Sequence, residues 1–417
     1  MKRRGKNIMA ALLLTSVIVA LCAGCASILE TEELIVSAHT GVTKPETSAR
    51  SAEARNFEEL RAAVLELVTA HEDAGVISIY SYDGDIDADL ARACDEVTRD
   101  TPVGAYTVSS IVRNVVKIVS YYEAEINVDY KRAKRQLDGM VTASSQRFLR
   151  SELLNIMSRY SERAIINTRL GDITGDDIRG YIEEIYYGNP LDVVMLPVAD
   201  VEVFPDHGSE RIVEITLGQR NTSNILLTYT AGLVRAARNI AEAVSGDSDG
   251  AILLALLRGL IDSSEYDADA ARIGQYSTQN FNATAYGALV YGTAIGEGYA
   301  MAFKALCDEL GLECDVVLGE LDYYTHAWNI VHINGDYYHI DASMCDLGGI
   351  ETAFLRSDAE MRELGYSWNA GKYPACGGAL TYADFYTVAG EAEAEAGAEA
   401  ETELEDGGEA EAAESGQ

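Results

Sequence analysis

Apolar positions between residues 57 and 217 repeat in two similar series, each typical of short helices and strands. Each series begins with apolar residues three or four positions apart and ends with alternating apolar and polar residues, the spacings of a helix face and of a strand. The helical positions are Phe57, Leu60, Val64 and Leu67 in the first series and Leu149, Leu153, Ile156 and Met157 in the second. The pattern predicts the order α-β-α-β-β twice, as two small α+β modules over residues 56–135 and 136–220. A single mixed domain with accidental internal similarity is the alternative.

The pattern changes after residue 220, where longer helical runs precede a helix and a hairpin. Amphipathic helices are predicted over residues 225–243 and 251–261. A later helix begins near Gly296, and the dipeptide Asn334-Gly335 is the strongest two-residue hairpin signal known from sequence. We therefore predict a third domain over residues 225–388 and an α+β fold class for the whole chain.

Both ends of the chain differ from this folded pattern. Basic residues before an apolar run at residues 8–21 predict a signal peptide over residues 1–24. The following Leu-Cys-Ala-Gly-Cys resembles a bacterial lipoprotein cleavage box, which implies lipidation at Cys25 and a cell-membrane protein on the extracytoplasmic face. An ordinary secretory signal is the alternative. Residues 25–55 are predicted to form a tether, and residues 389–417 an acidic, disordered tail.

Charge and cysteine usage exclude several classes of function. The 417-residue chain has a net charge of −35, which argues against binding nucleic acid because phosphate backbones need clustered Lys and Arg. That charge also argues against attraction to anionic lipid by charge alone, so we expect membrane contact through Cys25. The five cysteines beyond Cys25 are widely spaced and odd in number, so they predict buried thiols rather than a disulfide framework or a zinc site.

The hairpin brings two chemically useful side chains close together. If Asn334-Gly335 closes a two-residue turn, Trp328 lies opposite Asp341 and shares a face of the sheet with it. His326 then lies diagonal to Asp341, with Cβ atoms roughly 7 Å apart or less. A carboxylate at that position can orient an imidazole through a hydrogen bond. A three-residue loop would reverse the parity and separate the two side chains.

Residues 287–346 carry a set of short motifs that belong together in one known family. These motifs are Glu297-Gly298-Tyr299-Ala300, His326-Ala327-Trp328-Asn329 and Tyr338-His339-Ile340-Asp341. The segment resembles the bacterial transglutaminase-like core, a papain-like fold. The resemblance implies a helix packed on an antiparallel sheet and a catalytic Cys-His-Asp set. His326 and Asp341 match the family's His and Asp, but Gly296 occupies the position of the catalytic Cys.

Three functions are compatible with a dyad that has lost its nucleophile. The first is a catalytically inactive envelope lipoprotein that binds peptide, peptidoglycan or an envelope protein, with Trp328, Tyr299 and Glu297 as candidate binding residues. The second is an active thiol peptidase or acyl transferase in which Cys345 acts with His326 and Asp341. The third is an envelope protein with a purely structural role.

No cofactor is expected from the sequence. His326, His339 and Asp341 could form a metal site, but His339 and Asp341 are two residues apart on one strand and no further cluster of ligands supports it. The expected partners are therefore peptide, peptidoglycan or protein, and the expected metal content is none.

Overall fold

The amino-terminal part of the described chain is a four-stranded sheet with helices. The computed structural model describes residues 50–171, 173–273 and 280–385. The elements of module 1 are β1 (Arg50–Ala54), α1 (Phe57–Ala70), β2 (Ala74–Ile79), α2 (Ile86–Asp100), α3 (Pro102–Thr107), β3 (Val108–Ile118) and β4 (Tyr121–Tyr130). The strand order is β1-β2-β4-β3, with β1 parallel to β2 and the other pairs antiparallel.

A second sheet follows with the same topology. The elements of module 2 are α4 (Lys134–Asp138), β5 (Val141–Ala143), α5 (Gln146–Ser158), β6 (Arg163–Thr168), α6 (Gly175–Gly188), β7 (Val198–Phe204) and β8 (Arg211–Gly218). The order is β5-β6-β8-β7, and again only the first pair is parallel. The predicted repeat is confirmed at the level of topology, and each copy has one more strand at its start than the pattern predicted.

Local sequence explains where the main helices of both modules begin. Asn56, Ser145 and Thr174 each stand in extended backbone just before a helix, and each side chain accepts a hydrogen bond from a backbone N–H of the first turn. Such caps satisfy donors that the helix itself leaves unpaired, and each typically contributes about 1 kcal/mol.

The third region consists of helices packed on a four-stranded sheet that, unlike the two module sheets, is entirely antiparallel. Its elements are α7 (Ser223–Ala243), α8 (Asp249–Ser263), β9 (Glu265–Tyr266), α9 (Ala268–Ile273), β10 (Thr293–Ala294), α10 (Gly296–Leu310), β11 (Cys314–Leu321), β12 (Tyr324–Ile333), β13 (Asp336–Ile340), α11 (Ala342–Gly348), α12 (Asp358–Glu363) and β14 (Tyr366–Trp368). The sheet order is β13-β12-β11-β14, and all its pairs are antiparallel. The α+β fold class is confirmed.

Helix α10 is the centre of this region. From Gly296 to Cys307 its residues are buried on every side, with Glu297 as the exception. A helix that is apolar on all faces needs partners all round. Here α7 and α8 cover one side and the sheet covers the other, so the start of α10 is held against strand β12.

The hydrophobic cores divide the chain differently from the predicted domains. Module 1 has a core of its own, whereas one continuous core extends from module 2 into the third region. A polar link reinforces that continuity, because the hydroxyl groups of Tyr160 and Thr230 lie 2.6 Å apart. The boundaries at residues 135, 220 and 388 stay predictions.

Several terminal predictions meet the structure only in part. The predicted tether over residues 25–55 is wrong at its end, because residues 50–54 form β1 and pair with β2. The signal peptide, Cys25 and the acidic tail over residues 389–417 lie outside the described residues. Within the described ranges, no helix has both the length and the apolar character needed to cross a bilayer. The five described cysteines are free and buried, as the sequence predicted.

Candidate functional site

The β12–β13 hairpin has the register that its turn dipeptide predicts. Ile333 pairs with Asp336, and the pairing continues without a shift to Asn329 and Ile340. Asn334 and Gly335 adopt left-handed φ angles of 53° and 95°, as a two-residue turn of this kind requires.

Asp341 follows β13 directly and caps helix α11. His326 Nε2 and Asp341 Oδ2 are 2.6 Å apart, so the predicted proximity of the two side chains is confirmed. Tyr366 donates its hydroxyl to the same oxygen at 2.7 Å, and Ser343 donates to the other oxygen at 2.7 Å. The backbone N–H of Met344 also donates to Asp341, at 3.0 Å. The carboxylate is buried and has a full set of donors.

The charges of this pair follow from its surroundings. Burial favours the neutral imidazole, but the charge and hydrogen bond of Asp341 outweigh it and raise the pKa of His326. Burial also opposes the carboxylate, but His326, Ser343 and Tyr366 together lower the pKa of Asp341. Each shift favours the charged form of its group, and only 12% of the His326 side chain is exposed.

The start of α10 contains no nucleophile and little space for one. An ideal Cβ built on Gly296 would lie 2.5 Å from His326 Cε1, 2.8 Å from His326 Nδ1 and 3.4 Å from Ser343 Oγ. The first two distances are shorter than any normal contact to a Cβ atom, so the imidazole lies directly against the helix backbone at Gly296. At this position the residue type and the packing agree, because only glycine fits beside His326 without displacing it.

None of the five described cysteines lies at this position. Cys345 is buried, and its thiol donates to the carbonyl of Ile350 at 3.3 Å. Burial, with the charge of Asp341 nearby, raises the pKa of Cys345, which keeps it a protonated thiol. Burial likewise raises the pKa of Cys307 well above its ordinary value, and Cys307 lies in the middle of α10.

Two of the three predicted binding residues are fully buried. Trp328 and Tyr299 are both 0% exposed, and their role in binding stays a prediction. Trp328 packs with Tyr366 in a small core that is separate from the core containing α10. Tyr299 donates its hydroxyl to Asp346 at 2.6 Å, joining α10 to α11. Both side chains carry a polar group, and tertiary packing rather than a ligand satisfies it.

Glu297, the third predicted binding residue, is partly buried and bonded to module 2. Tyr187 on helix α6 donates its hydroxyl to Glu297 Oε1 at 2.8 Å. Burial raises the pKa of Glu297 to about 7, although the bond from Tyr187 opposes the shift. Burial, with the charge of Glu297, also raises the pKa of Tyr187. Glu297 is therefore a carboxyl group that changes charge near neutral pH, one residue from Gly296.

A second imidazole lies on the same sheet in a different state. Trp328 Nε1 donates to His339 Nδ1 at 2.9 Å, and an indole N–H can only donate. The proton of a neutral His339 is therefore on Nε2, which faces Asp358 at 2.9 Å. Burial lowers the pKa of His339 despite that carboxylate, so His339 is neutral.

This arrangement bears on metal binding. His339, Asp358 and Cys376 have ligand atoms within 4.8 Å of one another. Ligation through Nε2 would move the His339 proton to Nδ1, where the indole N–H of Trp328 already points, and two donors would face each other. We assign no metal to this cluster. The set His326, His339 and Asp341 does not converge either, because the two imidazoles bond to different carboxylates.

An exposed pair of tyrosines near the dyad was not predicted from the sequence. Tyr323 lies in the two-residue β11–β12 turn, Tyr324 is the first residue of β12, and they are 95% and 75% exposed. Asp322 and Tyr323 have φ angles of 50° and 69°, in the left-handed region that a bulky side chain rarely adopts. A polar residue between two strands signals a turn, but exposure and strain became apparent only in the structure.

Comparison with known proteins gives little overall similarity. No family model and no curated protein matches the sequence. Among solved structures the chain is similar to a TGase at 14% identity, with a TM-score of 0.26, over 52% of this chain and 60% of that one. It is also similar to a candidate cysteine protease from Cytophaga hutchinsonii, at 12% identity and a TM-score of 0.24, over 43% of this chain and 70% of that one. The chain is similar as well to a candidate protease from Parabacteroides distasonis, at 9% identity and a TM-score of 0.14, over 66% of this chain and 41% of that one.

The chain thus spans less than two thirds of the TGase to which it is similar. All three TM-scores are below 0.5, so the transglutaminase-like resemblance depends on the motifs and on the geometry of the hairpin and of α10. That geometry places an imidazole, held by Asp341, beside Gly296 at the start of α10.

Proposed function

We propose that this chain is a transglutaminase-like protein of the cell envelope that is catalytically inactive and binds peptide, peptidoglycan stems or a protein partner. The single observation that carries the proposal is the closure of His326 on Gly296. The residue at this position is glycine, so no thiol is present. An ideal Cβ there would lie 2.5 Å from the imidazole ring, which leaves no room for a cysteine side chain. Covalent acyl transfer by this family needs that thiol, and a hydrogen atom cannot replace it.

The second candidate, a thiol enzyme using Cys345, has a weaker basis. Its thiol donates to a backbone carbonyl and is buried, and its pKa is raised. A nucleophilic cysteine has the opposite features, since it is accessible and its pKa is lowered. The adjacent Asp341 charge disfavours a thiolate still further.

The binding surface that we propose consists of Tyr323 and Tyr324. Tyr323 lies in the β11–β12 turn, and Tyr324 is the first residue of β12, two residues before His326. Both side chains are exposed to solvent. Tyrosine contributes large contact area at low conformational cost, and its hydroxyl pairs with polar groups of peptides and glycans. Strained backbone at an exposed aromatic turn also supports a functional role.

Attachment to the outer face of the cell membrane through Cys25 is part of the same proposal. It is supported by the basic residues, the apolar run and the Leu-Cys-Ala-Gly-Cys stretch at the start of the chain.

Catalytic silence is tested with the unaltered chain and generic glutaminyl and peptide substrates. We expect no amide hydrolysis, no acyl transfer and no labelling of Cys345 by a thiol-directed electrophile. Ser151→Cys, at an exposed position of helix α5, serves as the positive control for labelling. Turnover by the unaltered chain that disappears in Cys345→Ala would overturn the inactive assignment.

Binding is tested by cosedimentation with isolated bacterial sacculi. We expect Tyr323→Ala/Tyr324→Ala to bind less than the parent while melting at about the same temperature, because both tyrosines are mostly exposed. Phe148→Ala, which removes an exposed aromatic side chain from module 2, is the matched control. Unchanged sedimentation of the double variant would exclude the turn as the binding surface.

A further inference from the structure

One segment of this very acidic protein is strongly basic. Residues 131–163 contain eight basic and three acidic residues, whereas the whole chain has a net charge of −35. We call this stretch the basic segment, and its cations are Lys131, Arg132, Lys134, Arg135, Arg147, Arg150, Arg159 and Arg163. Such asymmetry within one chain predicts an anionic partner for that surface.

Three of these cations are available to a partner. Arg135, Arg147 and Arg159 are exposed, and none has an ion-pair partner within the part of the chain that the structure describes. The others are partly engaged. Arg132 and Arg163 approach Glu214 at 2.7 and 3.5 Å.

Two of the arginines line one cavity of module 2, and the backbone of a third lies close to it. Arg159 and Arg163 line a cavity of about 190 Å³ together with Gly139, which ends helix α4. Gly139 N–H donates to the carbonyl of Arg135 at 3.3 Å, which places that residue one turn away. Glu152 also lines the cavity, but its carboxylate accepts a hydrogen bond from Asn155 at 3.3 Å. We call this feature the Arg159 cleft.

A separate anionic molecule would meet repulsion from the rest of the protein. Residues 391–417 contribute eleven acidic residues and no basic ones. Without them the net charge would still be −24, from −35 plus 11. An anion already attached to the chain avoids this barrier, because tethering replaces long-range attraction with a high effective concentration.

The acidic tail is long enough to reach the cleft. Phe385, the last described residue, packs on Gly250 at the start of α8, near the carboxyl end of α7. At the other end of α7, the hydroxyl of Ser223 donates to the carbonyl of Tyr160 at 2.8 Å, beside Arg159. The 21 residues of α7 span about 30 Å. The residues after Phe385 could extend about 100 Å at most.

We propose that the acidic tail, residues 389–417, binds the basic segment of the same molecule at the Arg159 cleft. The contact is between tail carboxylates and the guanidinium groups of Arg135 and Arg159. This contact would occupy the Arg159 cleft and exclude other anions from it. It is independent of whether the transglutaminase-like region binds a ligand.

The first experiment measures binding of a synthetic peptide of residues 389–417 to a chain shortened by the same residues. We expect binding at about 20 mM salt that disappears at about 500 mM, where the screening length falls below 5 Å. Arg135→Glu/Arg159→Glu should weaken binding at least about tenfold. Arg99→Glu/Arg235→Glu, which reverses two exposed cations elsewhere, is the matched control and should bind as the parent does. Equal weakening by both variants, or no binding, would overturn the proposal.

The second experiment uses the full chain, so that it does not depend on truncation. A carbodiimide should cross-link tail carboxylates to Lys131 or Lys134 within one molecule, and about 500 mM salt should abolish these products. A third arm tests lipid as the partner, by sedimentation with vesicles of phosphatidylglycerol and phosphatidylcholine. Equal binding of vesicles by the full and the shortened chain, lost in Arg135→Glu/Arg159→Glu, would assign the face to lipid and overturn the tail contact.

Discussion

Two histidines of one sheet, each beside a buried or half-buried carboxylate, have pKa values shifted in opposite directions. His326 donates to Asp341 and has a raised pKa, whereas His339 faces Asp358 and has a lowered pKa. The carboxylate distances are similar, at 2.6 and 2.9 Å. Distance to a carboxylate therefore does not explain the difference.

The other neighbours of each pair explain it. Both carboxylates have further donors and lowered pKa values, so ionisation of the carboxylate does not separate the two pairs. The positive charge of Arg362 near His339 is one difference, because it helps to lower the pKa of that imidazole. At His339 the indole N–H of Trp328 occupies Nδ1 as a donor, and an acceptor at Nδ1 is possible only in the neutral ring. Chemistry that needs a charged or polarised imidazole is thus restricted to His326, and His339 fixes the orientation of Trp328.

The largest effect that we predict separates the two carboxylates. Asp341→Asn should lower the free energy of unfolding by about 3–5 kcal/mol, because it breaks a buried ion pair and turns an amide toward donors. Asp358→Asn should cost only about 1–2 kcal/mol, because its imidazole is neutral. Denaturant unfolding at pH 6 measures both, and equal losses would contradict the assigned charge states.

The same pair gives the direction of its pH dependence. The lowered pKa of Asp341 contributes stability that is present above about pH 3.9 and is lost as pH falls through the folded value. The raised pKa of His326 contributes stability that is present below about pH 6.5 and is lost as pH rises through its folded value. The difference between parent and Asp341→Asn should therefore be greatest between these limits.

Glu297 sharpens the comparison, since it is a partly buried carboxylate that bonds to a tyrosine rather than to an imidazole. Its pKa is raised from 4.5 to about 7, so its contribution to stability is fully present below about pH 4.5 and is lost as pH rises through about 7. Glu297→Gln keeps an acceptor for Tyr187 and should stabilise the protein by up to roughly 3 kcal/mol at pH 8. Unfolding at pH 4 and pH 8 measures the change, with the exposed Glu363→Gln as control. No gain at pH 8 would contradict the raised pKa.

The smallest effect concerns the space between Gly296 and His326. Gly296→Ala should destabilise by about 1–3 kcal/mol, because the methyl group overlaps an imidazole that Asp341 holds in place. Gly180→Ala in helix α6, where nothing lies within 4 Å of the new methyl group, is the matched control and should stabilise slightly.

A double-mutant cycle then identifies the source of the overlap. In a His326→Ala background the cost of Gly296→Ala should disappear, and thermal melting of all four proteins gives the coupling. An undiminished cost in that background would show that the imidazole is not what fills the position.

The residue pattern was sufficient for those parts of the site that local geometry controls. Asn334-Gly335 gave the parity of the hairpin, and parity alone placed His326 beside Asp341. The absence of a thiol at Gly296 is a fact of the sequence, and the repeated helix and strand spacings predicted the two matching sheets. Each of these depends on neighbours a few residues away in the chain or across one turn.

Trp328 and Tyr299 show where local pattern was insufficient. Alternation puts Trp328 on the same face as His326. Its complete burial comes from Met361 of α12 and from the aromatic side chains of the neighbouring strand β14. Glu297 stands in a first helical turn, where exposure is expected, but Tyr187 from module 2 contacts it. The reverse holds for Tyr323 and Tyr324, which no segment among the described residues covers.

The order of residues therefore decided which groups this protein possesses and which of them share a strand face, because backbone geometry repeats over short distances. Burial, charge state and free space at Gly296 were decided by segments distant in the chain that pack against the hairpin and the start of α10. Desolvation and steric contact depend on every atom within a few ångströms, whichever part of the chain supplies it.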